Sequence, residues 1–140
     1  MSVDLVFFDT NILVYANDTR LPDKQTIART CIKEALIGGT GVVSTQVLAE
    51  FQVTMSKKFK QALGSVLLRE QISLLLNLKV VPVDRETFLK ALQIQERYGL
   101  SLWDAQIIAS ARLCGATKVL SEDMQEKAIY DGVEVVNPFT

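Results

Sequence analysis

The chain has 140 residues, 49% of them hydrophobic, which suits one domain spanning residues 1–140 with a substantial core. Its 15 Lys and Arg against 16 Asp and Glu leave a net charge of -1, excluding nucleic-acid binding by global attraction and leaving only a local patch for it. There is no histidine, which excludes Ser-His-Asp and Cys-His nucleophile systems, paired-histidine ribonuclease chemistry and histidine-rich zinc hydrolases.

The run from Val3 to Phe8, VDLVFF, is apolar and rich in β-formers, and predicts a buried strand ending at Asp9. A short helix is expected from about Asn11. From Lys24 to Ile37 the spacing of Ile27, Cys31, Ile32 and Ala35 predicts a helix, stopped by Gly38 and Gly39. GVVS, Gly41 to Ser44, reads as a second strand, and helices are expected from about Gln46 to Phe59 and from Ser65 to Leu78. Val80 to Val83 is a third strand whose Pro82 belongs at a strand end or an edge. Arg85 to Tyr98 forms the next helix, closed by Gly99 in left-handed geometry, and Ser101 can cap a helix from Leu102 to Cys114. Lys118 to Leu120 and Val133 to Val136 supply the fourth and fifth strands. Strands alternating with helical crossovers predict an α/β fold, a three-layer α/β/α sandwich around a central, mainly parallel five-stranded sheet. Cys31 and Cys114 lie far apart in helical apolar patterns and read as reduced core residues. The start, MSVDLVFFDTN, has no basic leader, and no apolar stretch reaches bilayer length, so a cytoplasmic protein without membrane contact is expected.

Sheets of this kind place ligands outside the carboxyl ends of their strands. Asp9 ends the first strand, Asp123 lies three residues past the fourth, Glu50 stands about one turn into the helix after the second, and Asp104 occupies the first turn of its own helix. Asp104 shares a helix face with Ile107, Ile108 and Ala111, so its carboxylate aims inward, where it needs hydrogen-bond donors or a cation. Clustered carboxylates are what hard divalent cations require. Each acid also has a reading without a ligand. Ser101 and Asp104 have capping-box spacing, Asp9 can cap the helix that follows it, Glu50 can be a solvated helix residue beside Phe51, and Asp123, next to Glu122, can be a loop acid. What separates the readings is whether the fold brings the four together.

FFDTNILVYA, STQVLAEF, YGLSLWDAQIIASA and LSEDM with the closing VVNPF together resemble the PIN domain, and within it the VapC-type toxin ribonucleases of toxin-antitoxin modules, over Val6 to Phe139. The resemblance implies a PIN-like fold and an endoribonuclease dependent on Mg2+ or Mn2+, leaving a 5′-phosphate and a 3′-hydroxyl. It carries the acidic site onto Asp9, Glu50, Asp104 and Asp123, with Asp9, Asp104 and Asp123 as direct or water-mediated metal ligands and Glu50 as a ligand or an aid to the attacking water. Thr10, Asn11 and Ser121 would orient the carboxylates, and Glu122 competes with Asp123 for the fourth place. The implied partners are RNA, single-stranded or in a structured loop, a cognate antitoxin, and a second copy of the chain.

Lys57, Lys58 and Lys60 in KKFK are the candidate substrate patch, although lysines ending a helix also complement its macrodipole. Trp103 reads first as core and second as a platform for a base. The apolar stretch LLREQISLLLNL either packs on its own sheet or offers a stripe to a partner helix. A receiver-like phosphoacceptor domain would need an acceptor Asp ending the third strand and a Lys after the fifth, where this chain has VVPVD and Asn137-Pro138-Phe139. A D-x-D phosphatase fails at Asn11. The alternative from a different class is a PIN-like module that binds without turnover, and the retention of all four acids counts against it.

Overall fold

The computed structural model describes residues 4–58 and 64–140. In chain order the elements are β1 (Leu5–Phe8), α1 (Thr10–Tyr15), α2 (Pro22–Gly38), β2 (Gly41–Ser44), α3 (Thr45–Lys58), α4 (Ser65–Leu75), β3 (Lys79–Val81), α5 (Arg85–Tyr98), α6 (Leu102–Leu113), β4 (Ala116–Leu120), β5 (Ile129–Tyr130) and β6 (Val133–Val136). The strands form one sheet in the order β3-β2-β1-β4-β6-β5, parallel throughout except for β5. From β1 the chain first builds outward through β2 to β3, then returns to lay β4 on the other flank of β1. That reversal opens a crevice beyond the carboxyl ends of β1 and β4, where open α/β sheets bind ligands.

Successive side chains of a strand point to opposite faces of the sheet. Val6 and Phe8 of β1, Leu120 of β4 and Val136 of β6 line one face beneath α2, across from Cys31 and Ala35, around a recess of about 290 Å3. Phe7, Val119 and Val135, which point the other way, are fully buried. There α6 packs on the sheet, and α5 covers the outside of α6. Helix α6 is therefore buried all the way round from Ala105 to Ala111, rather than along the single stripe that its spacing predicts. A helix sandwiched between a sheet and a second helix has no solvent face to spare.

The three-layer architecture and the mainly parallel sheet are as expected, with six strands in place of five. The additional strand, β5, precedes a tight turn at Asp131 and Gly132, both at positive φ (52° and 83°). Asp-Gly is the residue pair such a hairpin demands, but a two-residue strand is too short to show any alternation. The third strand runs over Lys79–Val81 and stops before Pro82, which has no N–H to give the ladder. Gly99 does close α5 in left-handed geometry, at φ 70°. Cys31 and Cys114 are free thiols, but half-buried rather than core. Among the described residues no helix is long and apolar enough to cross a membrane.

Gly41 shows how tightly β2 is packed. A Cβ there would lie 2.6 Å from Leu78 Cδ2, 2.9 Å from Ala35 Cβ and 3.2 Å from Phe8 Cε2. Gly41→Ala is expected to destabilise the fold by about 1–3 kcal/mol through overpacking. Gly38→Ala, whose new methyl meets Thr40 at an ordinary 3.7 Å, should leave stability unchanged or raise it. Thermal unfolding of the two variants side by side tests this, and equal melting temperatures would refute the packing argument.

Candidate active site

Asp9 is the residue around which the crevice is built. Its backbone N–H donates to the Leu120 carbonyl at 3.0 Å, which ties the end of β1 to the end of β4. Its side chain caps α1: Oδ1 accepts from the Thr10 N–H at 2.7 Å, while Oδ2 accepts from the Ser121 hydroxyl at 2.7 Å. Ser121 is fully buried and its oxygen also accepts from the N–H groups of Asp123 (3.2 Å) and Met124 (3.4 Å). One hydroxyl thus fixes the Asp9 carboxylate and the loop that follows β4.

Burial pushes the Asp9 carboxyl up from the usual 3.8 to about 6, even though the bonds from Ser121 and Thr10 pull it down, and the charges of Asp123 and Asp104 push it further up. Asp104 is half-buried in the first turn of α6, and it too is raised, by burial first and by Asp123 next, against the effect of Ser101. Its N–H donates to Ser101 Oγ at 3.1 Å, so the capping reading and the crevice reading of Asp104 hold together. Asp9, Asp104 and Asp123 therefore face one another across the gap from three separate segments. Asp123 thus opposes the negative charge of the other two, an opposition that a cation between them would relieve.

Glu50 is solvent-exposed on α3 and stands at the opposite wall. Its Oε1 accepts from Gln46 Nε2 at 3.0 Å and, at the long limit of 3.5 Å, from Thr10 Oγ1. Gln46 in turn accepts from Gln106 Nε2 at 2.9 Å and donates to the Trp103 carbonyl at 3.4 Å, joining α3 to α6 beside the acids. Asn11 accepts from the Glu122 N–H at 3.5 Å, and its buried Nδ2 has no hydrogen-bond partner among the described residues.

The adjacent acids Glu122 and Asp123 have different surroundings. Glu122 accepts from the Tyr15 hydroxyl and from Lys24 Nζ, the latter at 2.5 Å. Burial raises its carboxyl, but Lys24 and Tyr15 together hold it below the usual range. Lys24 also lies 4.6 Å from the Tyr15 ring centre and 5.4 Å from that of Phe139, and the two rings meet edge to face at 5.1 Å. Asp123 is exposed and belongs to the crevice. Sequence spacing offers no signal for this clamp, because Glu122 lies 98 residues from Lys24 and 107 from Tyr15.

Other candidates fall elsewhere. Lys57 and Lys58 end α3 as a basic last turn, Lys58 Nζ lying 3.9 Å from the buried Asp18, while Lys60 lies outside the described residues. Trp103 is not core: it is 63% exposed. An apolar groove of about 490 Å3 between α1, α2 and α4, lined by Leu13, Ile32, Leu36, Leu74 and Leu75, has none of these acids in its lining.

Residues 6–130 match the family model of the PIN domain. The chain belongs to the PIN-domain family. Comparison with curated proteins finds no match, but solved structures share the fold. A toxin-antitoxin complex from Klebsiella pneumoniae is 24% identical, with a TM-score of 0.66 over 95% of this chain and 97% of that one. VapC20 of Mycobacterium tuberculosis, a sarcin-ricin-loop-cleaving toxin, is 18% identical, with a TM-score of 0.62 over 84% and 91%. VapBC2 of Rickettsia felis, bound to a promoter DNA fragment, is 20% identical, with a TM-score of 0.64 over 94% and 96%.

As a place for a metal, this PIN-domain crevice offers only oxygen donors. Among the described residues no three acidic or cysteine side chains converge tightly enough to enclose an ion. One or two carboxylates together with retained water is the smallest set with which Mg2+ is held.

The raised Asp9 pKa sets the sign of a pH effect on the metal-free protein. Because the folded state holds the proton more tightly than the unfolded chain, the stability this group supplies is full below about pH 4 and is lost as pH rises through about 6. The loss from Asp9 is about 3 kcal/mol. Asp9→Asn, which cannot ionise, should lack it. Urea unfolding of both proteins in chelator from pH 4 to 8 should therefore show a gap that widens across pH 4–6, and parallel profiles would refute the burial argument.

Proposed function

We propose that this PIN domain is a divalent-metal-dependent endoribonuclease of the VapC toxin type. The observation that carries this reading is the convergence of the ends of β1 and β4 and the start of α6, which buries the Asp9 and Asp104 carboxyls and sets Asp123 near enough to raise both further. A buried carboxylate held near pKa 6 among like charges is a poor structural element and a good cation ligand. The structural neighbours that are toxins or toxin-antitoxin complexes, one of them an RNA-loop-cleaving toxin, support the assignment.

In this reading Asp9, Asp104 and Asp123 hold Mg2+ or Mn2+ directly or through water. Bound there, the ion supplies a water of lowered pKa and offsets negative charge on the leaving oxygen. Ser121 and the Thr10 N–H each occupy one lone pair of Asp9, so the remaining lone pairs point in fixed directions. Glu50, exposed to solvent and hydrogen-bonded by Gln46, would take the proton of the attacking water. Thr10 links Glu50 to the helix that Asp9 caps. The reaction breaks one P–O bond of RNA and leaves a 5′-phosphate and a 3′-hydroxyl. A near-neutral chain has too little charge to hold long duplex, so the substrate is single-stranded or looped RNA, whose backbone can reach a recessed site.

Asp104→Asn is expected to abolish cleavage of RNA in Mg2+ or Mn2+ while leaving the metal-free fold as stable as before or more so. The wild type should gain about 2.7 kcal/mol of stability at metal concentrations about 100-fold over the dissociation constant, and the variant less. Mapping the cleaved ends of total RNA tests the chemistry. Full activity of the variant would leave Asp104 as a first-turn residue capped by Ser101 and nothing more.

Two protein partners belong to the same reading: an antitoxin, as in the neighbouring complexes, and a second copy of the chain. The side chains of Phe88, Leu89 and Leu92 on α5, each at least 40% exposed, supply an apolar face for assembly. Light scattering at micromolar concentration should give twice the 15.6 kDa monomer mass, and a monomer would overturn the dimer.

A further inference from the structure

We infer that the indole of Trp103 is a stacking platform for an unpaired nucleobase at the rim of the acidic crevice, gripping the nucleotide whose phosphodiester lies over Asp104. This rests on the ribonuclease reading and names the part of the substrate that the site holds.

A tryptophan left in water forgoes the burial that its large apolar surface would gain, so its exposure needs a reason. Trp103 is 63% exposed, although the residues after Asp104 in the same helix are buried from Ala105 to Ala111. Its backbone is held firmly. The helix start is capped by Ser101, and the Trp103 carbonyl accepts from Gln46, whose amide oxygen is held by the buried Gln106. The same Gln46 amide donates to Glu50. The ring therefore projects from a rigid support with one crevice acid beside it in sequence and another tethered to the same glutamine.

Its company also distinguishes it from a protein-docking residue. The exposed apolar side chains of α5 (Phe88, Leu89 and Leu92) and of α4 (Val66, Leu67 and Leu74) come in runs along single helices, as helix-packing faces do. Trp103 lies outside those runs, next to Asp104 in the chain and with its carbonyl bonded by the Gln46 amide. A flat aromatic face in a polar setting suits a base, which is itself flat, aromatic and polar at its edges.

The crevice, moreover, repels what it must bind. Its acids push the phosphate backbone away, and the net charge of -1 supplies no compensating long-range attraction. Stacking is indifferent to that repulsion and to base identity, and it is withheld from paired bases that are already stacked. Trp103 thus selects unpaired over duplex RNA beside the cut, and it does so without reading sequence.

Trp103 is the chain's single tryptophan, so its emission reports on this site alone. In the Asp104→Asn background with Mg2+, a single-stranded oligoribonucleotide should quench that emission, and one of equal length with abasic sugars facing the crevice should not. In the otherwise wild-type protein Trp103→Ala should raise KM for a looped RNA roughly 5- to 100-fold, the loss falling on KM rather than on kcat. Trp103→Phe, which keeps a ring, should restore most of it. If the wild type cuts RNA but neither the emission nor the KM responds, the platform is wrong and the ribonuclease reading stands. If Trp103→Ala leaves KM unchanged and instead splits an oligomer, the residue is a protein contact and the proposal fails. If the wild type cuts no RNA with either metal, the ribonuclease reading fails, and the platform with it.

Discussion

The hydrogen bond from Ser121 to Asp9 joins the ends of the two strands between which the sheet reverses its order, and the same hydroxyl holds the backbone of Asp123. Asp9 follows directly on two fully buried phenylalanines, Phe7 and Phe8, and cannot retreat from the sheet. Ser121 is fixed from behind, its N–H donating to the Val136 carbonyl of β6 at 3.0 Å. The carboxylate is consequently located by the backbone ladder of three strands rather than by loops. Preorganisation of this kind has an energetic side: a charge is kept where burial and neighbouring acids oppose it, and the strongly packed centre of the sheet offsets that cost.

The loop after β4 sends two consecutive acids in opposite directions. Lys24 and the Tyr15 hydroxyl neutralise Glu122, and the Phe139 ring closes over the lysine, so this carboxylate adds little negative potential to the crevice. Asp123, one residue on, has its backbone held by Ser121 and its side chain in water. Glu122 is thereby kept from adding an uncompensated charge beside Asp9, Asp104 and Asp123, which limits the repulsion that folding must overcome.

Much of this is legible from the residues alone, and the reasons differ element by element. Asp9 is visible because a β-rich apolar run ends in an acid, and Gly99 because a helical period stops where only a left-handed residue fits. The capping alternatives for Asp9 and Asp104 turn out to coexist with their place in the crevice, since a cap uses one oxygen or the backbone N–H and leaves the rest of the carboxylate available. Trp103 is misjudged because one position in a helical wheel does not say whether another element lies over it. The all-round burial of α6 is missed for the converse reason, as only the fold reveals that α5 covers it. The Glu122 clamp joins segments about a hundred residues apart and has no local pattern to betray it.

The small antiparallel strand β5 also governs how the molecule can assemble. One border of the sheet ends in its two residues, and the turn beyond carries Asp131, paired with Lys90 at 2.9 Å. The opposite border is the three-residue β3, followed at once by Pro82, which has no N–H to lend a neighbour. Short borders, fixed charge and proline are the features that stop a foreign strand from adding to a sheet. Growth by ribbon continuation, the route to fibrous association, is thereby opposed at both flanks, which leaves the exposed apolar faces of α4 and α5 as the better surfaces for association.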